Sequence, residues 1–460
     1  MTGKEVTLPE ILDLREQRAA AQKRLLEAYG KPVVCFTMNI PGPVKQNGLI
    51  LRGFRLGCRL LRQGLEEAGI PVLHWEAEDP YAGSTAYCAA DTDPVTLKRI
   101  TTRIEDSFPL GRLYDMDVLN PRGSKLDREQ VGGKSRDCIV CGAPGRGCAS
   151  RRLHTVPELQ AAAEGLLTGH FLTADAETVA SLAEESLLEE VRTTPKPGLV
   201  DLRNTGSHRD MNADTFAASA HALRPYFAEC VRIGQRTAAA PEETTFGLLR
   251  QAGLAAETEM YRATGGVNTH KGAIFTLGIL CGAMGRLWNL EGTAAALSRL
   301  LELSARIGTG AVGDFALGGD TAGLRLYRGK GIGGIREEVA RGLPSVANIG
   351  LPVFRGGLAR GLSRNDAALM ALLNLIAGVE DTNLYHRGGE AGAAFAKKAA
   401  AGLLKTGTFP GTARMEELDD AFIARNLSAG GCADLLAVTL FLDRLGQAEM
   451  VCLPPDNEEK

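Results

Sequence analysis

Asp115 and Asp117 alternate with Met116 and Val118 in the short run RLYDMDVL at 112–119. In an extended segment that spacing turns both carboxylates to one face. Two carboxylates so close repel each other unless a cation sits between them, and Mg²⁺ carrying substrate phosphates is a common solution. The chemistry would be phosphoryl or nucleotidyl transfer, with the metal neutralising a leaving pyrophosphate. A solvated strand face is the plainer account of the same pair. Between Arg122 and Arg152, eight Lys or Arg stand against three Asp or Glu, a local excess of +5 that suits a polyphosphate. Inside that stretch Cys138, Cys141, Cys148 and His154 form C-x2-C-x6-C-x5-H. These are the ligand types of a tetrahedral zinc site, although free thiols in a basic loop fit as well, since the spacing matches no standard finger. Lys45 follows a proline-bounded turn in TMNIPGPVKQNG (37–48).

The second half of the chain holds a different set. TTPKPGLVD (193–201) places Lys196 between two prolines and delivers Asp201, and SHRDMN adds His208, Arg209 and Asp210. GGVNTHKG (265–272) offers Gly265, Gly266, Asn268, His270 and Lys271 ahead of the apolar run 273–287. Backbone N–H groups and a helix dipole favour an anion at such a start, while glycines there serve equally as a tight entry to a buried helix. The loop is not a Walker A motif, because its lysine precedes glycine in place of Ser or Thr. GKGIGG (329–334) contains G-x-G-x-x-G only formally, with no strand before it and no acid about 20 residues beyond. After it come Arg336 and Glu338, and EDTNLYHRGG (380–389) reads as a loop carrying Asp381, His386 and Arg387.

These residues need a scaffold, and the patterning describes one in two parts. Up to about residue 155, β-like runs at 32–40, 71–78 and 112–119 are interleaved with a helix at 55–68, which reads as α/β or α+β. From about 175 onward, apolar residues recur at helical spacing in 177–191, 365–379 and 432–445, so this half reads as all-α. A linker helix is expected between them, at 155–176. The 460 residues are 44% hydrophobic and 23% charged, an ordinary soluble composition. The run 273–287 is shorter than the roughly 18 to 20 residues of a membrane span and reads as a buried helix. The ten cysteines, with no basic-headed apolar leader, favour reduced thiols and a cytoplasmic protein. A net charge of −3 and 5% aromatic residues weigh against a nucleic-acid coat.

Taken together, TPKPGLVD, HRDM, ATGGVNTHKGAIF, GIREE–GLP and EDTNLYHRGG resemble the signature segments of triphosphoribosyl-dephospho-CoA synthase. TMNIPGPVK, GRLYDMDVLNPRG and the CIVC–C–H run resemble apo-citrate lyase phosphoribosyl-dephospho-CoA transferase. The resemblance implies a fusion with a transferase domain at 1–165 and a synthase domain at 175–455. ATP and 3′-dephospho-CoA would yield the 2′-triphosphoribosyl derivative and adenine. A serine of the apo citrate lyase acyl carrier subunit would then take the phosphoribosyl-dephospho-CoA group and release pyrophosphate. The resemblance implies Mg²⁺ on Asp115 and Asp117, with Lys45 and Arg112 near the pyrophosphate. It further implies Lys196, His270, Lys271, Arg336 and Arg387 as a triphosphate clamp, and Asp201, Asp210, Glu338 and Asp381 as base or Mg²⁺ ligands. The chain departs from the family at Ala322 and Glu337, where His and Gly are usual. Two alternatives are a zinc-stabilised nucleic-acid-binding module on a helical scaffold and the equivalent enzymes of malonate decarboxylase.

Overall fold

The computed structural model describes residues 2–143, 145, 148, 151–288, 297–313 and 332–447. Ala322 and the first three residues of GKGIGG lie outside them. The chain divides into two compact units between Ala174 and Asp175.

The first unit is α+β. Its four-stranded sheet is antiparallel throughout, in the order β2 (Val72–Glu78), β3 (Thr85–Ala90), β1 (Val33–Met38), β4 (Tyr114–Leu119). The sequence reading finds three of these strands and misses β3, whose TAYCAA is buried at every position and so shows no alternation. Helix α1 (Leu8–Tyr29) covers one face of the sheet, where Leu25 packs with Val33, Cys35, Tyr87 and Ala89. The opposite face carries Phe36, which stacks on Phe54 of α2 (Gly48–Glu67) with ring centroids 5.1 Å apart.

Strand β4 lies at the sheet edge, where unpaired backbone groups need partners. Helix α3 (Pro94–Ser107) supplies them at Met116, the residue between the two aspartates. Glu105 Oε1 accepts the Met116 N–H at 2.8 Å, and Lys98 Nζ donates to the Met116 carbonyl at 3.1 Å.

The second unit is all helical. Helix α4 (Val156–Arg192) is continuous for 37 residues, so the expected linker helix and the helix at 177–191 are one element. The polar TADAE does not break it: Thr173 Oγ1 bonds back to the Gly169 carbonyl, and Asp175 accepts the indole N–H of Trp288 at 2.6 Å. After α4 come α5 (Ala213–Arg236), α6 (Glu242–Ala263), α7 (Lys271–Leu287), α8 (Leu297–Gly313), α9 (Gly334–Ala340), α10 (Leu351–Ala359), α11 (Arg364–Gly378), α12 (Thr382–Leu403), α13 (Thr412–Ile423) and α14 (Gly430–Gln447). The run 273–287 is indeed a buried helix, with Ala273, Ile274 and every residue from Thr276 to Gly285 buried. EDTNLYHRGG is not a loop. Asp381 caps α12 by accepting the N–H groups of Asn383 and Leu384, and helix begins at Thr382. Among the described residues, no single helix is long and apolar enough to cross a membrane.

Helices α5 and α7 lie backbone against backbone. A Cβ on Gly234 would stand 2.0 Å from the Gly282 carbonyl oxygen, and one on Gly285 would stand 2.0 Å from that of Val231. Neither carbonyl can retreat without breaking its helix. Gly234→Ala should therefore destabilise the protein by about 1–3 kcal/mol or more, read as a lower denaturant midpoint at unchanged slope. An unchanged midpoint would show that the helices can separate freely.

Candidate active sites

A cavity of about 990 Å³ lies within the helical unit. The segment entering α7 supplies Asn268, His270 and Lys271 to its wall. Lys196 and Asp210 come from the segment after α4, Arg336 and Glu338 from α9, and Asp381, His386 and Arg387 from the start of α12. Segments far apart in the chain thus deliver most of the sequence candidates to one place. Glu337 also lines the cavity and accepts the Gly333 N–H at 3.0 Å.

Three candidates do not line it. Asp201 spends both oxygens on its own turn, accepting the N–H of Lys196 at 2.7 Å, of Arg203 at 2.7 Å and of Asn204 at 3.0 Å. It holds the turn that presents Lys196. Gly265 and Gly266, with φ of 68° and 93°, reverse the chain between α6 and α7, and the Gly266 N–H bonds to the Tyr261 carbonyl at 2.7 Å. Only glycine adopts both conformations without strain.

The cavity's charges are extensively paired. Lys196 is 1% exposed, and its ammonium reaches Glu190 Oε1 at 2.5 Å and the Glu190 carbonyl at 2.8 Å. Burial raises the proton affinity of Glu190 against the opposing pull of Lys196. Lys271 is paired with Glu257 at 2.8 Å. Arg387 donates to the Ser207 carbonyl at 2.9 Å and to Asn426 Oδ1 at 3.1 Å, and meets His208 Nδ1 at 3.1 Å. Burial and then Arg387 hold the His208 pKa down, so its neutral ring can accept that bond.

His270 differs from the cation expected in a clamp. It is 3% exposed, its Nδ1 lies 2.8 Å from Ser219 Oγ, and Nε2 has no partner. Burial, and next the charge of Lys196, push its pKa down to about 3. His270 is therefore a neutral imidazole at physiological pH, able to hydrogen-bond a ligand without adding charge.

Glu190 and Asp434 stand on the same wall and belong to none of the sequence motifs. Asp434 lies beneath the glycine loop: a Cβ on Gly272 would stand 1.9 Å from Asp434 Oδ2. The available signal was an acid interrupting the apolar stripe of CADLLAVTLFLDRL, a position where an unpaired carboxylate is costly.

In the first unit, Asp115 and Asp117 share the α1 side of the sheet, with Met116 and Val118 buried on the other. Asp117 pairs with Lys125 at 2.5 Å. Burial, and then Asp117, raise the proton affinity of Asp115. This is the electrostatic state that a divalent cation would relieve, so the pair fits Mg²⁺. Lys45 donates to the Ile40 carbonyl at 2.6 Å, and Arg112 Nε to the Asp137 carbonyl at 2.5 Å, which ties the cysteine loop to the start of β4. Arg18 and Gln22 of α1 reach Cys35, which stands opposite Asp117 in the sheet register. Neither was a sequence candidate, because nothing local says that α1 lies over β4's acidic face.

The sulfur atoms of Cys138, Cys141 and Cys148 and a ring nitrogen of His154 all lie within 4.8 Å of one another. Cys141 Sγ is 3.5 Å from Cys148 Sγ and 3.3 Å from His154 Nε2. Four such donors around one point suit tetrahedral zinc.

Comparison with known proteins places both units. Residues 176–452 match the family model of ATP:dephospho-CoA triphosphoribosyl transferase, and residues 6–170 that of apo-citrate lyase phosphoribosyl-dephospho-CoA transferase. The chain is 35% identical to protein CitXG of Haemophilus influenzae, over 95% of this chain and 96% of that one. It is 32% identical to protein CitXG of Leuconostoc mesenteroides subsp. cremoris, over 96% and 98%. Its helical half is 42% identical to the 2-(5''-triphosphoribosyl)-3'-dephosphocoenzyme-A synthase of Klebsiella pneumoniae, over 58% of this chain and 90% of that enzyme.

The neutral state of His270 has a consequence for stability. In the unfolded chain it takes a proton near pH 6.5, and in the folded chain only near 3. Protons therefore favour the unfolded state in that window, and stability falls as the pH drops below 6.5. The denaturant midpoint should decline between pH 6.5 and 5 in the parent protein and decline less in His270→Gln. Equal slopes would show that His270 is protonated in the folded state.

Proposed function

The chain belongs to the ATP:dephospho-CoA triphosphoribosyl transferase family in its helical half and to the apo-citrate lyase phosphoribosyl-dephospho-CoA transferase family in its first half, and we propose how its residues divide the two reactions. It is a bifunctional transferase that makes and attaches the citrate lyase prosthetic group. The nucleic-acid-binding alternative is not favoured, since both halves match enzyme families. In our reading the transferase domain occupies residues 1–165 and the synthase domain 175–455, acting in the cytoplasm.

The observation that carries the synthase assignment is the gathering of Lys196, His270, Lys271, Arg336, Asp381 and Arg387 on one cavity wall. Its volume of about 990 Å³ is at the upper end for ligand sites and leaves room for two nucleotides. There ATP and 3′-dephospho-CoA would give the 2′-triphosphoribosyl derivative and adenine. Arg336, Arg387 and Lys271 would face the triphosphate, Lys271 by exchanging Glu257 for phosphate. Neutral His270 would hydrogen-bond a substrate through its unpartnered Nε2.

In the first unit, Asp115 and Asp117 would hold Mg²⁺, which supplies charge neutralisation on a leaving pyrophosphate. A serine hydroxyl of the apo citrate lyase acyl carrier subunit would attack the α-phosphate of the product. Lys45, Arg112 and the basic stretch would line the pyrophosphate's path. The Cys138, Cys141, Cys148 and His154 cluster would hold a structural zinc that fixes this stretch.

Asp115→Asn should abolish modification of the carrier subunit and leave adenine release from ATP and dephospho-CoA unchanged, both followed by mass spectrometry. An equal fall in adenine release would overturn the division of labour. Protein purified without chelator should carry one zinc per chain by elemental analysis, and Cys141→Ser should lose it. Zinc at trace level in the parent chain would dismiss the metal and leave free thiols.

A further inference from the structure

Most acids on the cavity wall already spend their oxygens on the protein. Glu190 is held by Lys196 and Glu257 by Lys271. Asp381 accepts three backbone N–H groups, those of Asn383, Leu384 and Cys432. Glu338 accepts the N–H and the hydroxyl of Ser345. Glu337 takes the Gly333 N–H, and Glu380 takes Tyr385 and Lys397. Asp210 stands exposed to solvent.

Asp434 is in a different position. It lies well inside the helical unit, with part of its surface open to the cavity. Its carboxylate takes one backbone hydrogen bond, from Ala273 in the first turn of α7. Gly272 leaves room for it, since any Cβ there would collide with Oδ2. A carboxylate can accept about four hydrogen bonds, so most of its capacity is unspent. The same turn of α7 carries His270 and Lys271 to the wall.

We propose that Asp434 is the general base of the synthase reaction, taking the proton of the attacking ribose 2′-hydroxyl of dephospho-CoA. The proposal rests on the synthase reading of this cavity. As the 2′-oxygen bonds to C1 of the ATP ribose, the bond from C1 to adenine N9 breaks and its electron pair leaves with adenine. Adenine takes a proton from water, Asp434 later returns its own to the hydroxide so formed, and atoms and charge balance.

The surroundings suit a base. Burial first, and then the charges of Glu190 and Asp381, raise Asp434's proton affinity well above that of an ordinary carboxylate. A stronger base working nearer neutral pH results. The nearby groups that set this are Glu190 on α4, Asp381 at the start of α12, and Lys196, which partly offsets Glu190. His270, being neutral, adds no charge.

The test uses the full-length protein with ATP, 3′-dephospho-CoA and Mg²⁺, reading adenine release. Asp434→Asn should lower kcat by about 10²- to 10⁴-fold, the usual contribution of a general base. ATP affinity, measured by titration calorimetry, should stay near the parent's, because a general base acts in the transition state and not in ground-state binding. The acid limb of the parent's kcat–pH profile should vanish in the variant's residual rate. Asp434→Ala should fail alike and regain activity with added formate, which a misfolded variant could not do. A kcat for Asp434→Asn near the parent's would overturn the proposal. So would loss of Mg²⁺-dependent ATP binding without formate rescue, which would make Asp434 a metal ligand. Absence of adenine release from the parent protein would instead refute the synthase reading on which the proposal stands.

Discussion

The helical site depends on the direct backbone contact between α5 and α7. Gly234 and Gly285 remove the side chains that would keep these helices at an ordinary distance, and α7 is thereby fixed along its length. Its N-terminal turn then has one place to go. Ser219 of α5 meets His270 Nδ1, and Gly272 settles on the carboxylate of Asp434 from α14. A helix start that would otherwise sit at the surface becomes part of the cavity wall. Burial of polar groups is costly unless they are paired, and Nε2 of His270, on the cavity wall, is among the buried side-chain atoms without a partner.

The first unit shows the same logic on a sheet. An edge strand carrying two acids would be poorly held and open to unwanted pairing. Glu105 and Lys98 occupy both backbone groups of Met116, and Arg136 balances Glu105 at 2.6 Å. The two carboxylates are therefore mounted on a strand fixed from behind by an ionic network. The basic residues between Arg122 and Arg152 do more than offer positive charge. Arg128 and Arg136 serve this network, and Asp137 in the same stretch accepts a bond from Arg112, outside it, that anchors the cysteine loop.

Both sites lean on charge pairs that are internally satisfied. In the helical site Lys196 is paired with Glu190 and Lys271 with Glu257. For a buried pair such as Lys196 and Glu190, stability is a weak motive, because desolvation offsets much of the attraction. Presenting a fixed electrostatic surface to an incoming polyanion is a better one. A triphosphate can take over a cation from a carboxylate more cheaply at exposed Lys271 than at buried Lys196.

The sequence alone determined whatever is periodic or local. Alternation in RLYDMDVL put Asp115 and Asp117 on one face, since a strand repeats every two residues. The apolar run at 273–287 reads as a buried helix, and three cysteines and a histidine within seventeen residues are close enough in the chain to cluster. Tertiary structure decided the rest. It turned EDTNLYHRGG from a loop into a helix start, because Asp381 caps it and bonds across to Cys432. It moved Asp201 off the cavity wall and into its own turn. It also brought in Asp434, Glu190, Arg18 and Glu105, none of which belongs to a local motif. Such residues matter through what stands opposite them: Asp434 lies against Gly272, far away in the chain, and a crossing of that kind leaves no mark in local spacing. In the helical unit, the close approach of α5 and α7 came down to two glycines.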